Sequence, residues 1–200
     1  MLNKQQTKYQ NTAKLMDEAL IRLLEKKNYE FITVKEICTK AGVNRSTFYL
    51  HYETMDDLLM ETLQYISRQM NNSFADSLRI DKQKILTCPL EELVLITPQY
   101  LIPYLQFVLD NKRVFIAAQS QPMVFQTKNI FNALYTEIFD PILTRYGVKE
   151  QDRQYLLTFY LNGMYGVLLR WIKNGCDQSV EYMANLLIDC VRPYHTVPQL

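Results

Sequence analysis

The stretch TVKEICTKAGVNRSTFYLHYETMDDLL, residues 33–59, contains two short helical patterns joined by a glycine. Thr33 and Glu36 form a Thr-x-x-Glu capping box, which marks the start of a helix. Gly42 follows after roughly two turns of helix, where a helix end favours a left-handed residue. Asn44 can cap the next helix, because its side-chain oxygen accepts hydrogen bonds from backbone N–H groups. The order helix, glycine turn, helix predicts a helix-turn-helix.

The second of these helices has one face that suits a core and one that does not. At about 100° per residue, a helix with Phe48 at the centre of its buried face also turns Tyr52 inward. Such a helix is either a solvated hairpin or a surface that meets a ligand, and the pattern alone leaves both open. The side chains on the outer face and its flanks are Arg45, Ser46, Thr47, Tyr49, Leu50 and His51.

Several of these outer side chains suit double-stranded DNA. Short hydroxyls let a helix backbone approach base edges, and the Arg45 guanidinium can bond guanine through two parallel donors. Leu50 can meet a thymine methyl group. Phosphate oxygens suit a donor on a rigid ring or at a positive helix N-terminus. The candidates for phosphate are therefore Thr33, Tyr49 and His51, and Lys35 suits either role.

The composition is that of an all-helical globular chain. Of its 200 residues, 48% are hydrophobic and 22% are charged, and only five are glycine. Apolar residues recur at spacings of three and four, which predicts helices, and no alternating stretch predicts a strand. Residues 1–52 carry nine Lys and Arg against five Asp and Glu, whereas residues 53–200 carry 13 against 16. This asymmetry favours a nucleic-acid-binding head.

Other classes of function lack their sequence signals. The apolar stretches are shorter than the roughly 20 residues of a membrane span, and the N-terminus has no apolar signal core, so we expect a cytoplasmic protein. Four scattered cysteines without a Cys-x-x-Cys pair predict free thiols. His51 and His195 lie far apart, and no nucleophile elbow or phosphate loop is visible. We expect no enzyme, no metal and no cofactor.

The quoted stretch resembles the DNA-binding domain of the TetR/AcrR family of bacterial transcription regulators. The family pattern is approximately T-x-x-x-I-x-x-x-A-G-V-S-x-x-T-F-Y-x-H-F-x-x-K-x-x-L, and the matching positions are Thr33, Ile37, Ala41, Gly42, Val43, Thr47, Phe48, Tyr49, His51 and Leu58. Where the family often has lysine, this chain has Met55, followed by Asp56 and Asp57, which removes one usual phosphate contact. The resemblance implies phosphate contacts by Thr33, Tyr49 and His51, and base or backbone contacts by Lys35, Asn44, Arg45, Ser46 and Thr47.

The expected domains are a helix-turn-helix domain at 1–54, extended by a linking helix at 55–76, and an effector-binding and dimerisation domain at 77–200. Segment 159–187 resembles the C-terminal part of a TetR subgroup found among Gram-positive bacteria, through Gly163, Gly166, Trp171 and Gly175. Glycines in a helix suggest the close approach of another backbone, either from a second subunit or from the chain's own core. The predicted dimer interface consists of Phe159, Tyr160, Gly163, Gly166, Val167 and Trp171.

Aromatic residues crowd the predicted second domain. They either line a cavity for a small apolar effector or form plain core, and helical spacing is compatible with both. A protein effector is a further alternative. The candidate lining residues are Tyr100, Tyr104, Phe107, Phe115, Phe131 and Tyr135.

The whole pattern predicts an all-α homodimer of about nine helices, with a three-helix DNA-binding domain followed by a helical bundle. We expect a repressor that binds a palindromic DNA operator, since two short helices about 34 Å apart read two half-sites. We also expect that an effector modulates the binding of this repressor to DNA. The alternative is a helical interaction protein of the same fold that acts mainly through a protein partner. Beyond the linking helix, the periodicity predicts helices near 97–111, 112–119, 123–145, 150–174 and 178–192, the third of them interrupted or kinked at Asp140-Pro141.

Overall fold

The computed structural model describes residues 4–73, 82–126, 132 and 135–191. These residues form ten α-helices and contain no strand, which confirms the all-α class. The chain divides into two compact units, Met1–Asn71 with Arg113–Thr127, and Asn72–Lys112 with Lys128–Leu200. The helices are α1 (Lys4–Leu24), α2 (Val34–Ala41), α3 (Arg45–His51), α4 (Met55–Ser73), α5 (Lys82–Thr87), α6 (Pro98–Asp110), α7 (Lys112–Ser120), α8 (Asp140–Arg145), α9 (Glu150–Lys173) and α10 (Val180–Val191).

The first unit packs α1 on α2 and α2 on α3 around one apolar core. Each fully buried Leu, Ile, Met or Phe side chain contributes about 1.5–3 kcal/mol through the hydrophobic effect, so this core is enough to hold three short helices. Phe48 supplies the contact from α3 and is fully buried. The largest fully buried side chains of this core are Phe48, Met16, Leu20, Leu24, Ile37 and Leu58.

One buried polar contact joins α1 to α4. The Thr62 hydroxyl lies 2.7 Å from Asp17 Oδ1 and 2.8 Å from the Leu58 carbonyl oxygen. The hydroxyl has one hydrogen, so it donates either to Asp17 Oδ1 or to the Leu58 carbonyl oxygen at any one time. Burial raises the pKa of Asp17 from 3.8 to about 6, against the lowering effect of the Thr62 hydrogen bond.

Helix α7 belongs to the first unit, although the domain boundary predicted from the sequence placed every residue after 76 in the second domain. The expected boundary is corrected here because Val114, Ala117 and Phe125 are buried in the same core as α1 and α2. Polar contacts accompany that burial. The Arg113 guanidinium donates to the Glu25 carboxylate at 3.0 Å, and Gln121 Nε2 donates to the Lys27 carbonyl at 3.2 Å.

The second unit packs α6 against α10. The turn between α9 and α10 is held by Trp171, whose indole N–H donates to the Gln178 carbonyl at 3.0 Å. Helices near 97–111, 150–174 and 178–192 are confirmed within two residues at each end. The segment expected to be helical over 123–145 is interrupted earlier than Asp140-Pro141 as well. Residues 122–126 form turns, and Gln126 has a φ of +49° that an α-helix does not allow. A π-helix at Tyr135–Phe139 precedes α8, which begins at Asp140.

One segment of the described residues, Leu90–Asp110, is long and apolar enough by composition to cross a membrane. Its geometry differs from that of a span. Leu90–Leu93 is a 3-10 turn, Val94 is extended, and α6 covers only the last 13 residues. Thirteen residues of α-helix are about 20 Å long, which is shorter than the roughly 30 Å hydrocarbon core of a bilayer.

Candidate nucleic-acid interface

The capping box predicted at the start of α2 is present and is closed by a lysine. The Glu36 N–H donates to Thr33 Oγ1 at 3.3 Å, and Glu36 Oε2 accepts from the Thr33 N–H at 3.0 Å and from its hydroxyl at 2.8 Å. Lys27 Nζ donates to both Glu36 carboxylate oxygens, at 2.7 and 2.9 Å. These bonds, Lys27 first, lower the pKa of Glu36 to about 2. The Thr33 hydroxyl must therefore exchange Glu36 for a phosphate if it is to bind DNA.

The turn between α2 and α3 is set by two residues. Gly42 ends α2 in the left-handed conformation, with φ +68° and ψ +31°, and the Val43 N–H closes back on the Cys38 carbonyl at 3.0 Å. Asn44 then caps α3. Its Oδ1 accepts from the Thr47 N–H at 2.7 Å, the Thr47 hydroxyl at 2.8 Å and the Ser46 hydroxyl at 2.7 Å.

This cap gives the outer face of α3 a defined hydrogen-bonding character. Because the Ser46 and Thr47 hydroxyl hydrogens point to Asn44, their oxygens offer lone pairs to any ligand. The Asn44 oxygen is occupied by three donors, so its amide NH₂ is the part that can donate outward. Asn44, Arg45 and Ser46 are exposed, and Thr47 is half-buried. One edge of α3 therefore presents both acceptors and donors.

The two faces of α3 divide as the helical wheel predicts. Phe48 and Tyr52 are buried, whereas Tyr49 is 53% and Leu50 is 77% exposed. Tyr49 and Leu50 are therefore accessible on the outer face of α3. Lys35, on the outer side of α2, is exposed as well.

His51, the last residue of α3, makes a contact that sequence reasoning missed. Its imidazole stacks on the ring of Tyr9 from α1, with 3.8 Å between ring centroids and 19° between planes. Nδ1 is buried, and no hydrogen-bond partner for it is present among the described residues. Burial lowers the pKa of His51, against a raising effect of Glu61. No local pattern pairs Tyr9 with His51, because the contact spans 42 positions of the chain.

The first turn of α4 holds two carboxylates where the family often has a lysine. Asp57 folds back on Thr54 in a second capping box, accepting from the Thr54 N–H at 2.8 Å, and this lowers the pKa of Asp57. Asp56 Oδ1 accepts from the Tyr29 hydroxyl at 2.6 Å. Met55 packs against the apolar core. Both carboxylates are thus engaged inside the chain, but their negative charges remain at this end of α4.

The residues predicted for a dimer interface and an effector pocket lie in different environments. Trp171 is only 2% exposed within its own unit, which corrects its assignment to a surface interface. Phe159 is 72% exposed, Tyr160 and Val167 are half-buried, and Gly163 and Gly166 are exposed. Tyr100 and Phe107 are buried, Tyr104 and Tyr135 are half-buried, Phe115 is half-buried in the first unit, and Phe131 lies outside the described residues.

Two family descriptions match this chain. Residues 18–62 match "Bacterial regulatory proteins, tetR family", and residues 97–192 match "Transcriptional regulator C-terminal region" of the TetR type. The first match contains α2, α3 and both of their caps. Together the two matches cover more than two thirds of the chain.

Curated relatives carry the same description. The chain is 22% identical to the uncharacterized HTH-type transcriptional regulator YxbF of Bacillus subtilis (strain 168) over 184 residues, which are 87% of this chain and 43% of YxbF. It is 36% identical to the uncharacterized HTH-type transcriptional regulator YerO of the same organism over 52 residues, which are 26% of this chain and 18% of YerO. The chain thus spans less than half the length of the curated relatives it matches.

Solved structures share the fold. A TetR-like transcriptional regulator from Rhodococcus sp. RHA1 superposes with a TM-score of 0.61 at 17% identity, over 89% of this chain and 92% of that one. The transcriptional regulator FadR from Bacillus subtilis, in complex with stearoyl-CoA, superposes with a TM-score of 0.54 at 16% identity, over 88% of this chain and 95% of that one.

A capped helix-turn-helix with an exposed polar outer face, together with these matches, defines a DNA-binding transcription regulator. The chain belongs to the TetR family. The alternative of an interaction protein that acts mainly through a protein partner is not favoured.

Proposed function

We propose that this chain is a repressor that binds a palindromic operator as a homodimer through the outer face of α3. The observation that carries the proposal is the Asn44 cap, which orients three polar side chains on an exposed helix edge. One helix of seven residues reads only a few base pairs, so two copies about 34 Å apart are needed for a specific site. The proposed DNA-binding residues are Thr33, Lys35, Asn44, Arg45, Ser46, Thr47, Tyr49, Leu50 and His51.

The experiment is selection of duplexes from a random pool by the purified protein. We expect the recovered sequences to contain two inverted half-sites about one helical turn apart. Arg45→Ala should relax the base preference at one position of each half-site, whereas Tyr49→Phe should weaken binding to all duplexes about equally, because a phosphate contact carries no base preference. Recovery of no common sequence would contradict operator binding. The duplex that is recovered serves as the probe below.

The proposed dimer forms through α9 and α10. Tyr155 and Phe159 lie four residues apart on α9 and are 79% and 72% exposed, and Tyr182 and Leu186 lie four apart on α10 and are 54% and 37% exposed. Gly163 and Gly166 continue the α9 stripe, and a Cβ added at either would meet no atom within 4 Å among the described residues. The glycine notch is therefore not filled by the chain's own core, which supports approach by a second subunit.

A charge placed in this stripe tests the dimer. Phe159→Glu should convert a particle of twice 23.7 kDa into one of 23.7 kDa, because an ionised carboxylate is costly to bury at an apolar interface. Leu86→Glu is the matched control, since Leu86 is 70% exposed on α5. Light scattering gives the mass, and thermal unfolding checks that both variants fold. An unchanged mass for Phe159→Glu would contradict the interface.

We further propose that the second unit binds a small apolar effector. Tyr104, half-buried on α6, is a polar handle in apolar surroundings: burial and the nearby Tyr165 raise the pKa of Tyr104 to about 12. The FadR structure of the same fold holds stearoyl-CoA. Tyr100 and Phe107 favour packing against α10 over lining a cavity, because both are buried and α6 packs on α10. The lining candidates that remain open are Tyr104, Tyr135 and Phe131, the last of which lies outside the described residues.

The effector proposal is tested with stearoyl-CoA as the probe and free coenzyme A as the control. Stearoyl-CoA should bind with a negative heat-capacity change, which marks burial of apolar surface, and should lower the affinity for the selected duplex. Free coenzyme A should do neither. Failure of stearoyl-CoA to bind would contradict an acyl effector while leaving the proposal of DNA binding intact. In this scheme the protein acts in the cytoplasm by binding, not by catalysis. The effector shifts the equilibrium between two states of the dimer, one in which the two helix-turn-helix domains fit the operator and one in which they do not.

A further inference from the structure

The contact between Tyr9 and His51 ties the first helix to the end of the recognition helix. The rings are nearly parallel, and their centroids are 3.8 Å apart. Stacked aromatic pairs contribute about 0.5–1.5 kcal/mol beyond the area they bury. Tyr9 is still 50% exposed, so it lies at the surface of the unit and not in its core.

The position of the imidazole depends on this stack, not on a hydrogen bond. Nδ1 of His51 is buried without a partner among the described residues. A buried lone pair without a partner is tolerated better than a buried N–H, so a neutral imidazole places its hydrogen on Nε2. Only Nδ1 is enclosed in this way, which leaves Nε2 as the nitrogen from which the ring can reach a ligand.

His51 follows the exposed residues Tyr49 and Leu50 on the proposed DNA-binding side of α3. An Nε2–H held at a fixed angle is a suitable donor to a phosphate oxygen, because such a bond needs direction and the acceptor is charged. A ring that could swing freely would lose rotamer entropy on binding DNA. Because the stack on Tyr9 already fixes the ring, this rotamer entropy is lost on folding and not on binding DNA.

We propose that Tyr9 is a positioning residue for DNA binding, whose ring fixes the His51 imidazole so that Nε2–H donates to a backbone phosphate. The inference rests on the proposed function, since it assumes that α3 docks on DNA. It adds a residue of α1 to the interface. It also assigns to that residue an action through His51, with no need for direct contact between Tyr9 and DNA.

The test is a double-mutant cycle on the selected duplex, measured by fluorescence anisotropy at several salt concentrations. His51→Ala should lower affinity about 10-fold for each half-site, as expected for a hydrogen bond to a charged group, and by the same factor on the selected and the scrambled duplex, because a phosphate contact carries no base preference. The salt slope should stay unchanged, because a neutral imidazole releases no counterion. Tyr9→Ala should reproduce a large part of this loss on both duplexes. In the His51→Ala background, Tyr9→Ala should have no further effect, because its action runs through the imidazole.

Three further variants exclude a merely structural role. Tyr9→Phe keeps the stack and should bind as the wild type does. Tyr9→Leu keeps apolar bulk without a ring and should bind as Tyr9→Ala does. Leu15→Ala is the control on the same helix, since Leu15 is 47% exposed, and it should leave the affinity and the salt slope unchanged.

The outcomes separate the two proposals. Equal losses from Tyr9→Ala in the wild-type and His51→Ala backgrounds would overturn the positioning role, and so would a loss confined to the selected duplex. Wild-type protein that binds no duplex above a scrambled control would overturn the proposed function and this inference together. A broader distribution of His51 side-chain rotamers in Tyr9→Ala, measured by NMR scalar couplings on the free protein, supports the inference without DNA, and an unchanged rotamer distribution contradicts it.

Discussion

Replacement of Asn44 by aspartate separates its two roles. In the wild type, Asn44 Oδ1 accepts three donors at 2.7, 2.7 and 2.8 Å. An aspartate oxygen accepts the same three, and its charge near a helix N-terminus adds about 0.3–1 kcal/mol. We therefore expect Asn44→Asp to unfold at the same temperature as the wild type or slightly higher. Asn44→Ala, which leaves the Thr47 N–H without its cap, should lose about 1 kcal/mol of stability.

DNA binding should respond in the opposite way. A carboxylate replaces the outward amide donor, and at about 6 Å from a phosphate it is repelled by about 0.7–3 kcal/mol for effective dielectric constants between bulk water and a protein surface. Two subunits double that energy. Since about 1.4 kcal/mol is tenfold in affinity, Asn44→Asp should bind the selected duplex at least about 10-fold more weakly.

The assay pairs thermal unfolding with anisotropy titration of the selected duplex, for the wild type and both variants. Asn44→Ala should bind better than Asn44→Asp even though it is less stable, because it adds no charge. Wild-type affinity in Asn44→Asp would refute the reasoning, since it would place this end of α3 away from the phosphates. Strong destabilisation of Asn44→Asp would refute the cap geometry.

Two further predictions concern α4 and α1. Met55→Lys should strengthen binding to every duplex and steepen the salt slope by about one unit for each subunit, because it restores a cation beside Asp56 and Asp57. Met60→Lys, at a 54% exposed position of the same helix, is the control and should have neither effect. Equal effects of the two variants in a salt-dependent titration would count against a phosphate near Met55. Asp17→Asn should raise the free energy of unfolding near neutral pH by about 2 kcal/mol and leave it unchanged below about pH 4. An acid whose folded pKa is raised from 3.8 to about 6 becomes destabilising as the pH rises through that range, whereas an amide accepts from Thr62 without a buried charge at every pH. A pH-independent difference in denaturant unfolding would show that Asp17 is not the titrating group.

Local signals predicted the helix-turn-helix well. The Thr33 capping box, the left-handed Gly42 and the Asn44 cap depend on residues within three or four positions of one another. The direction of Phe48 into the core also follows from the helical period alone. Such features need no knowledge of the rest of the chain.

Long-range packing was beyond the sequence patterns. The return of α7 to the first unit depends on Val114 and Ala117 fitting a core made by residues about 100 positions earlier. The Tyr9–His51 stack is of the same kind. Trp171 was predicted to add apolar area around the glycines at a dimer interface, but it is buried within its own unit, where its indole N–H donates to the Gln178 carbonyl.

The most direct measurement is the affinity of the purified protein for the selected duplex relative to a scrambled duplex of equal length and composition, between about 50 and 200 mM salt. Both affinities should fall steeply with salt, since phosphate contacts contribute to each. Base contacts by α3 should hold the selected duplex at least about 10³-fold above the scrambled one across the whole range. A ratio near one at every salt concentration would contradict sequence-specific recognition by α3.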